Sequence, residues 1–222
     1  MHMSRIKLDV GRVQTMKALA SPQVMHAIIE GCFDGYRLPN QSKHDSTRDE
    51  TMRILWRLDS LGGCLYLLII SEQVPDFTGL SSQLCTPAET GQTRDYGAFL
   101  STIKNGQRLR FRFRANPVHS VPIAKGERGK VTPHVSEFHK REWLVKKAER
   151  CGFALEANEF AIVETRRQRF RKEKSRNFVE LSCTTFEGVL TVTDAGIFTQ
   201  ALVSGIGRGK AYGCGLMTVM VV

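Results

Sequence analysis

Short segments of alternating apolar and polar residues in the first half of the chain predict strands separated by helices. Ser21 followed by Pro22 has the signature of a helix start, with an N-cap residue and then proline at the first helical position. The sequence Ser-Leu-Gly-Gly at 60–63 is typical of a tight turn between two strands. The predicted order β-α-β-β-α-β is that of a ferredoxin-like unit. Its strands are expected at 3–10, 52–59, 64–71 and 92–103, and its helices at 21–34 and 78–85.

The second half repeats this order with longer elements. Ser136 is a predicted N-cap, Gly152 follows the end of the same helix, and Asp194 begins the last helix. We therefore predict an α+β fold of two tandem ferredoxin-like (RRM-like, βαββαβ) domains, 1–90 and 91–222, with the polar stretch 86–94 as the linker. The strands of the second half are expected at 108–115, 153–164, 177–185, 187–192 and the C-terminus.

The net charge of +10 is concentrated in the second half. Residues 1–90 contain nine Lys or Arg against ten Asp or Glu, whereas residues 91–222 contain 23 against 12. A clustered positive excess of this size attracts polyanions. The sequence therefore predicts a polyanion-binding surface within 91–222. The alternative, a basic surface that serves only solubility, is disfavoured because the cations cluster.

Other features of the composition exclude several classes of protein. No apolar stretch approaches the ~20 residues that cross a membrane, and residues 1–5 do not lead into a secretory signal. The six cysteines are far apart and form no C-x-x-C motif, which indicates reduced thiols rather than a zinc site. We expect a cytoplasmic protein that binds no membrane, no metal and no cofactor.

Two arginine-rich segments lie in the basic half. In 108–114 arginine alternates with apolar residues, so a strand there would direct its arginines to one face and its apolar side chains to the core. The segment 166–176 is the densest basic run and is expected to form a mobile hairpin tip that reaches RNA phosphates. Phe170 within it either stacks on a base or anchors the hairpin. The candidate RNA-binding residues are Arg108, Arg110, Arg112, Arg114, Arg166, Arg167, Arg169, Arg171, Lys172 and Lys174.

A glycine-rich segment, 203–215, precedes the last predicted strand. Dinucleotide-binding glycine loops follow a strand and open a helix, whereas this one follows a helix and opens a strand. A Walker A loop would need glycine at Ser204 and serine or threonine at Ala211. The segment instead offers flexible backbone N–H groups near two cations, which suits a phosphate chain. Gly207, Arg208 and Lys210 are therefore further candidates for RNA contact.

The histidines carry little information on their own. His26 lies among apolar residues of the predicted 21–34 helix, where a histidine is more often packed than catalytic. His44 and His119 fall in predicted loops. His134 and His139 flank the start of the Ser136 helix and miss the H-E-x-x-H spacing of a zinc site, so we expect them to be surface residues.

Several of these segments together resemble a known family. The glycines before the last strand are similar to the C-terminal glycine-rich loop of the RAMP superfamily of CRISPR-associated proteins. The stretches 111–117 and 186–192, with Asp194, are similar to segments of its CasE subfamily, the repeat-processing endoribonucleases of type I-E CRISPR systems. The glycines that carry the resemblance are Gly205, Gly207, Gly213 and Gly215.

The resemblance implies a fold of two ferredoxin-like domains and metal-independent cleavage of a CRISPR repeat stem-loop. It also implies that other subunits of a surveillance complex are partners. The family carries its general acid/base histidine on the first helix, and the sequence Gln23-Val-Met-His26 matches that pattern. Relatives often have tyrosine where this chain has Gln23, and an amide orients or donates but does not transfer a proton as a phenol does.

Two other functions remain open at the level of sequence. One is a RAMP-type scaffold subunit that binds guide RNA without cutting it, and the His26 helix is the feature that distinguishes it from the nuclease. The other is an RRM-like binder of single-stranded RNA, which is disfavoured because the chain lacks the aromatic RNP pattern.

Overall fold

The computed structural model describes residues 1–33, 54–122, 129–171 and 178–222. These residues form two compact units. The first consists of Met1–Phe99 with Ala211–Gly213, and the second of Leu100–Lys210 with Cys214–Val222.

The helices and strands of the first unit are β1 His2–Leu8, α1 Val13–Ala20, α2 Pro22–Glu30, β2 Leu55–Leu61, β3 Cys64–Ser71, α3 Thr78–Leu84, β4 Gln92–Asp95 and α4 Tyr96–Leu100. The four strands form an antiparallel sheet with the order β2-β3-β1-β4. Helices α1 and α2 separate β1 from β2, and helix α3 separates β3 from β4. This is the predicted ferredoxin-like order, but the described residues contain two helices, α1 and α4, that the sequence did not indicate.

The core of this unit lies between one face of the sheet and its helices. Ile6 of β1 and Ile69 of β3 are fully buried, and Met25 and Ile29 of α2 pack into the same cluster. The tight turn between β2 and β3 is confirmed, with Gly62 and Gly63 at φ 57° and 77°, values that favour glycine.

The helices and strands of the second unit are β5 Arg108–Ala115, β6 Val118–Val121, β7 Lys130–Pro133, α5 Glu137–Arg150, β8 Phe153–Ala154, β9 Phe160–Arg171, β10 Phe178–Val192, α6 Ala195–Ser204 and β11 Met217–Val221, with a 3-10 helix at Lys210–Tyr212. Its main sheet has the order β11-β5-β10-β8, with β9 also paired to β10. Helix α5 lies between β5 and the strands β8 and β9 along the chain, and helix α6 lies between β10 and β11, so the second ferredoxin-like order is confirmed as well.

Aromatic pairs fill the core of the second unit. Phe113 of β5 stacks on Phe186 of β10 with ring centroids 6.3 Å apart, and Phe153 meets Phe198 of α6 edge to face at 5.5 Å. Each such ring contributes roughly 1.5–3 kcal/mol on burial. Both predicted N-caps are present, since the N–H groups of His139 and Ile197 donate to Ser136 and Asp194.

Besides the additional helices, the structure differs from the sequence-based elements at four places. The predicted strand 153–164 consists of two strands, β8 and β9, and β9 continues to Arg171. The predicted strand 92–103 stops at Asp95, whose carboxylate accepts the N–H of Gly97 at 2.8 Å and opens α4. The predicted strands 177–185 and 187–192 are one strand, β10, interrupted only by a register shift between Thr185 and Phe186. A small hairpin of β6 and β7 was not predicted.

The placement of β4 also bears on the division of the chain. The sequence suggested a division between 90 and 91, but β4 pairs with β1 in the first sheet. In the structure the first unit extends through Phe99.

Within the described ranges, no helix is long and apolar enough to cross a membrane.

Candidate functional site

His26 and Gln23 share one side of helix α2, three residues apart. The helix begins where Ser21 accepts the N–H of Val24 at 3.4 Å, as expected from the Ser-Pro sequence. The neighbouring side of the helix buries Met25 in the core. His26 therefore lies at the margin of the buried face, and 22% of its side chain is exposed.

The surroundings of His26 keep its imidazole neutral at neutral pH. Its Nε2 lies 3.0 Å from Oε1 of Glu30, one helical turn further on. Its Nδ1 is shielded from solvent and has no hydrogen-bond partner among the described residues. Burial lowers the pKa of His26, and the carboxylate of Glu30 opposes that shift. A neutral imidazole is the form that accepts a proton.

The arginines of β5 alternate with buried residues as predicted, but they do not form an unrelieved row of positive charge. Arg108 pairs with Glu159, and Arg112 pairs with Glu187 on the neighbouring strand. The like charges of these two residues are therefore relieved by carboxylates within the protein.

The other two arginines of β5 have different surroundings. Arg114 is partly buried, and its guanidinium lies beside the thiol of Cys183. A hydrogen bond with Cys214 lowers the pKa of that thiol, and the guanidinium of Arg114 lowers it further, against the effect of burial. Arg110 is exposed and forms no ion pair with a carboxylate of the described chain. Arg110 is thus the β5 arginine best placed to meet an external anion.

Four arginines of the second basic run, Arg166, Arg167, Arg169 and Arg171, lie on strand β9, which pairs with β10. The predicted hairpin tip itself, 172–177, lies outside the described residues. Arg166, Arg167 and Arg169 are exposed, and the guanidinium of Arg169 lies 4.4 Å from the centre of the Phe178 ring. Neither Arg166 nor Arg167 is paired with a carboxylate in the ranges that the structure describes. Lys172, Lys174 and the side chain of Arg171 lie outside those ranges.

The glycine loop joins α6 to β11, and its glycines adopt positive φ. A Cβ added at Gly207, where φ is 86°, would lie 3.2 Å from the ring of Trp143. At Gly213, where φ is 76°, it would lie 2.8 Å from the ring of Trp56. Both positions therefore need glycine for conformation and for packing, before any RNA is considered.

The two cations of this loop have different environments. Lys210 Nζ donates to the carbonyl oxygen of Ser204 at 2.7 Å, which satisfies a backbone group at the end of α6. Arg208 is exposed, and its backbone pairs with Asn116, whose Oδ1 in turn accepts the N–H of Ser182 at 3.1 Å. Of the two, Arg208 is the side chain presented to solvent.

Sequence reasoning missed a cluster of three histidines in the second unit. The ring centroids of His119 and His134 are 4.6 Å apart, and those of His134 and His139 are 5.8 Å apart. Pairing of β6 with β7 brings the first two together, and the N-cap of α5 places the third, since Ser136 Oγ lies 2.7 Å from His139 Nδ1. No spacing in the sequence signals this cluster, because it depends on the unpredicted hairpin.

These histidines line a concavity of about 410 Å³ whose other charged groups are mostly cations. Burial lowers the pKa of His134, and the neighbouring His119, His139 and Lys146 lower it further, against the effect of Glu142. Among the described residues no group of three or more His, Cys, Asp or Glu side chains is arranged to hold a metal ion.

The chain matches a protein family and two curated proteins along most of its length. Residues 1–220 match the model of the family described as CRISPR associated protein. The chain is 27% identical to the CRISPR-associated endoribonuclease Cse3 of Thermus thermophilus over an alignment of 233 residues, which covers 99% of each protein. It is 27% identical over 185 residues to the CRISPR system Cascade subunit CasE of Escherichia coli, covering 80% of this chain and 84% of that protein.

A solved structure has the same fold. The CRISPR endoribonuclease Cse3 bound to a 19-nucleotide RNA superimposes with a TM-score of 0.78 and 26% identity, over 99% of this chain and 100% of that one.

Proposed function

Because the chain belongs to the family described as CRISPR associated protein, we propose that it is an endoribonuclease that cleaves the stem-loops of CRISPR repeat RNA. The products are mature guide RNAs released from a longer precursor. The observation that carries this proposal is the end-to-end match to the endoribonuclease Cse3, which covers 99% of both chains.

The proposed chemistry uses the RNA's own nucleophile. His26 removes the proton of the 2′-hydroxyl upstream of the cut, or delivers a proton to the departing 5′-oxygen. The 2′-oxygen attacks the adjacent phosphorus, and the bond to the 5′-oxygen breaks. The products are a 2′,3′-cyclic phosphate and a 5′-hydroxyl. No step requires a metal, because the nucleophile is intramolecular and in line.

Glu30 has a positioning role in this mechanism. Its carboxylate faces His26 Nε2 at 3.0 Å, which fixes the ring and favours the imidazolium form during proton transfer. The other ring nitrogen is shielded in the free protein, so we infer that the imidazole rotates when RNA binds. Gln23, one turn before His26, takes the place of the tyrosine of relatives and serves as a hydrogen-bond donor that orients the RNA.

Binding is assigned to the second unit. The exposed Arg166, Arg167 and Arg169 of β9 have no carboxylate partner among the described residues. With Arg110 and Arg208 they supply charge for phosphates, and this electrostatic attraction dominates affinity for RNA. Arg108, Arg112, Arg114 and Lys210 have partners within the protein and are expected to contribute less. Gly207 keeps the loop backbone close to Trp143, beside Arg208.

The relatives also suggest where the protein acts. The Escherichia coli relative is a subunit of Cascade, and we propose that this chain likewise remains bound to its guide RNA within a type I-E surveillance complex. That assembly is expected to be cytoplasmic.

One observation favours a second candidate, a scaffold that binds guide RNA without cutting it. Both nitrogens of His26 are engaged or shielded, and Gln23 cannot replace a phenol in proton transfer. A protein that binds the repeat tightly and leaves it intact would support this alternative.

The proposal is tested by incubating the protein with a labelled repeat stem-loop, with and without EDTA. We expect one cut that EDTA does not affect, with a cyclic phosphate on the upstream product. A substrate with a single 2′-deoxy nucleotide upstream of the cut should remain intact. Cleavage of that substrate, or loss of cleavage in EDTA, would overturn the mechanism.

A further inference from the structure

The concavity that contains the histidine cluster is built from three parts of the second unit. Strand β6 and the end of the β6–β7 hairpin contribute His119 and His134. Helix α5 contributes a stripe at helical spacing, which includes His139, Trp143 and Arg150. The glycine loop contributes Gly207 and Arg208.

The charges around this concavity are not balanced. Lys146, Lys147, Arg150 and Arg208 line it, whereas Glu142 is the single carboxylate among its lining residues. Glu142 lies 3.8 Å from Lys146, at the outer limit of an ion pair. In the described part of the chain, Arg150 and Arg208 are exposed and have no carboxylate partner. Three imidazoles and four cationic side chains facing one space favour an anion there.

The floor of the concavity is fixed by packing. Trp143 is only 9% exposed, and its ring lies against Gly207, where any side chain would intrude. Lys147 Nζ lies 6.0 Å from the centre of the same ring, so the aromatic face helps to hold the ammonium group. The cations are therefore presented by a rigid helix and a glycine loop.

We propose that this concavity binds a phosphodiester group of the RNA, as a subsite additional to the β9 arginines. The inference rests on the proposed function only in naming RNA as the ligand. A phosphate is the anion that suits the site, because lysine, arginine and protonated histidine all donate to its oxygens. Single-stranded RNA also stacks on histidine rings, which fits a site lined by three of them.

Binding at this subsite is coupled to protonation. The pKa of His134 is lowered in the free protein by burial and by the neighbouring positive groups, so at neutral pH its imidazole is neutral. A phosphate placed beside it favours the imidazolium form, so that RNA binding is accompanied by proton uptake. By linkage, affinity then rises as the pH falls, by up to tenfold per pH unit for each proton taken up.

The test measures RNA affinity as a function of pH. The probe is a repeat stem-loop with a 2′-deoxy nucleotide at the cut, which keeps the RNA intact and makes the result independent of cleavage. We compare the wild type with His134→Gln, and with the triple variant His119→Gln, His134→Gln, His139→Gln. His2→Gln, outside the concavity, is the matched control.

The wild type and His2→Gln should bind more tightly by roughly threefold to tenfold per unit as the pH falls from 8 to 6. The triple variant should lose most of this dependence while keeping its affinity at pH 8, and His134→Gln should lose part of it. Equal pH dependence in the wild type and the triple variant would overturn the proposal, even if cleavage proceeds normally.

A second measurement identifies the source of the phosphate. Titration of the imidazole resonances by NMR should show the pKa of His134 rising when the RNA is added. Inorganic phosphate at the same concentration should leave it nearly unchanged, because it lacks the other contacts of the strand. An equal shift with both would mean that the site takes free phosphate rather than RNA. If neither RNA nor inorganic phosphate shifts the pKa of His134, the concavity does not bind a phosphate group.

Discussion

Helix α2 and strand β9 place their ionisable side chains in opposite environments, one largely buried and one exposed to solvent. On α2, His26 is mostly buried, touches a carboxylate, and has its pKa lowered by desolvation. On β9, Arg166 and Arg167 project into solvent without carboxylate partners in the described chain. A group that transfers a proton benefits from such an environment, whereas groups that attract phosphates need only be charged and accessible.

The contrast suggests a division of labour between the two units. Long-range attraction to RNA is supplied by the net positive charge of the second half of the chain. In the proposed mechanism, proton transfer is carried out by one residue, His26, whose titration is set by its immediate neighbours. Changes in the first unit should therefore alter the cleavage rate, and changes in the second should alter the affinity for RNA.

The largest effect is expected for His26→Ala. Removing a general acid or base typically lowers the rate by 10²–10⁴-fold, while one imidazole is a minor part of a charge-dominated interface. Single-turnover cleavage should therefore fall by about that factor, with RNA affinity nearly unchanged. His2→Ala, on β1 of the same unit, serves as the control and should cleave normally. Full activity in His26→Ala would mean that another residue carries out the proton transfer.

The second effect concerns salt dependence. Arg167→Ala with Arg169→Ala should lower the slope of log affinity against log salt by roughly 0.7 to 0.9 for each phosphate that the protein no longer neutralises. A matched variant, Lys17→Ala with Arg94→Ala, removes the same charge from exposed positions of the first unit. Its slope should change much less. Equal changes in the two variants would mean that net charge alone, and not the β9 surface, determines binding.

A third effect concerns stability of the glycine loop. Gly213→Ala should be more destabilising than Gly63→Ala, although both positions have positive φ. The shared cost of that conformation is about 1–2 kcal/mol. Only at Gly213 does the added methyl group also meet the Trp56 ring, at 2.8 Å, whereas Gly63 faces open space. Denaturant unfolding of the two variants measures the difference in the free energy of unfolding. Equal destabilisation would show that the Trp56 ring moves aside without a measurable loss of stability.

The smallest effect is a shift in the pH–rate profile for Glu30→Gln. The carboxylate raises the pKa of His26 against the effect of burial, so its removal lowers that pKa further. The limb of the profile that reports His26 should move to lower pH, whether the residue acts as base or as acid. Glu72→Gln, an exposed carboxylate of the same unit, should leave the profile in place. If this limb of the pH–rate profile does not move in Glu30→Gln, Glu30 has no role in setting the pKa that controls the cleavage rate.

Much of the fold was predictable because its signals are local. The Ser21-Pro22 and Ser136 helix starts, the glycine turn at 62–63 and the alternation along β5 each depend on residues close in sequence. Other elements lack such signals. Helix α1 has no side-chain cap at Arg12 and was missed. Strand β10 was divided in two because Thr185 and Phe186 flank a register shift that no local pattern announces.

The candidate site shows the same limit. The arginines of β5 were identified from their spacing, but their ion pairs with Glu159 and Glu187 depend on contacts between segments distant in sequence. The cluster of His119, His134 and His139 was likewise invisible, because β6 and β7 were not predicted. Tertiary pairing, and not residue type, determines which charges remain available to a ligand.

The division of labour is tested by single-turnover cleavage measured over a range of protein concentrations. For Arg167→Ala with Arg169→Ala, we expect the half-saturating concentration to rise while the rate at saturation stays close to that of the wild type. For His26→Ala, the half-saturating concentration should remain close to that of the wild type, and the rate at saturation should fall by about 10²–10⁴-fold. A saturated rate that falls equally in both variants would show that binding and cleavage are not separable between the two units.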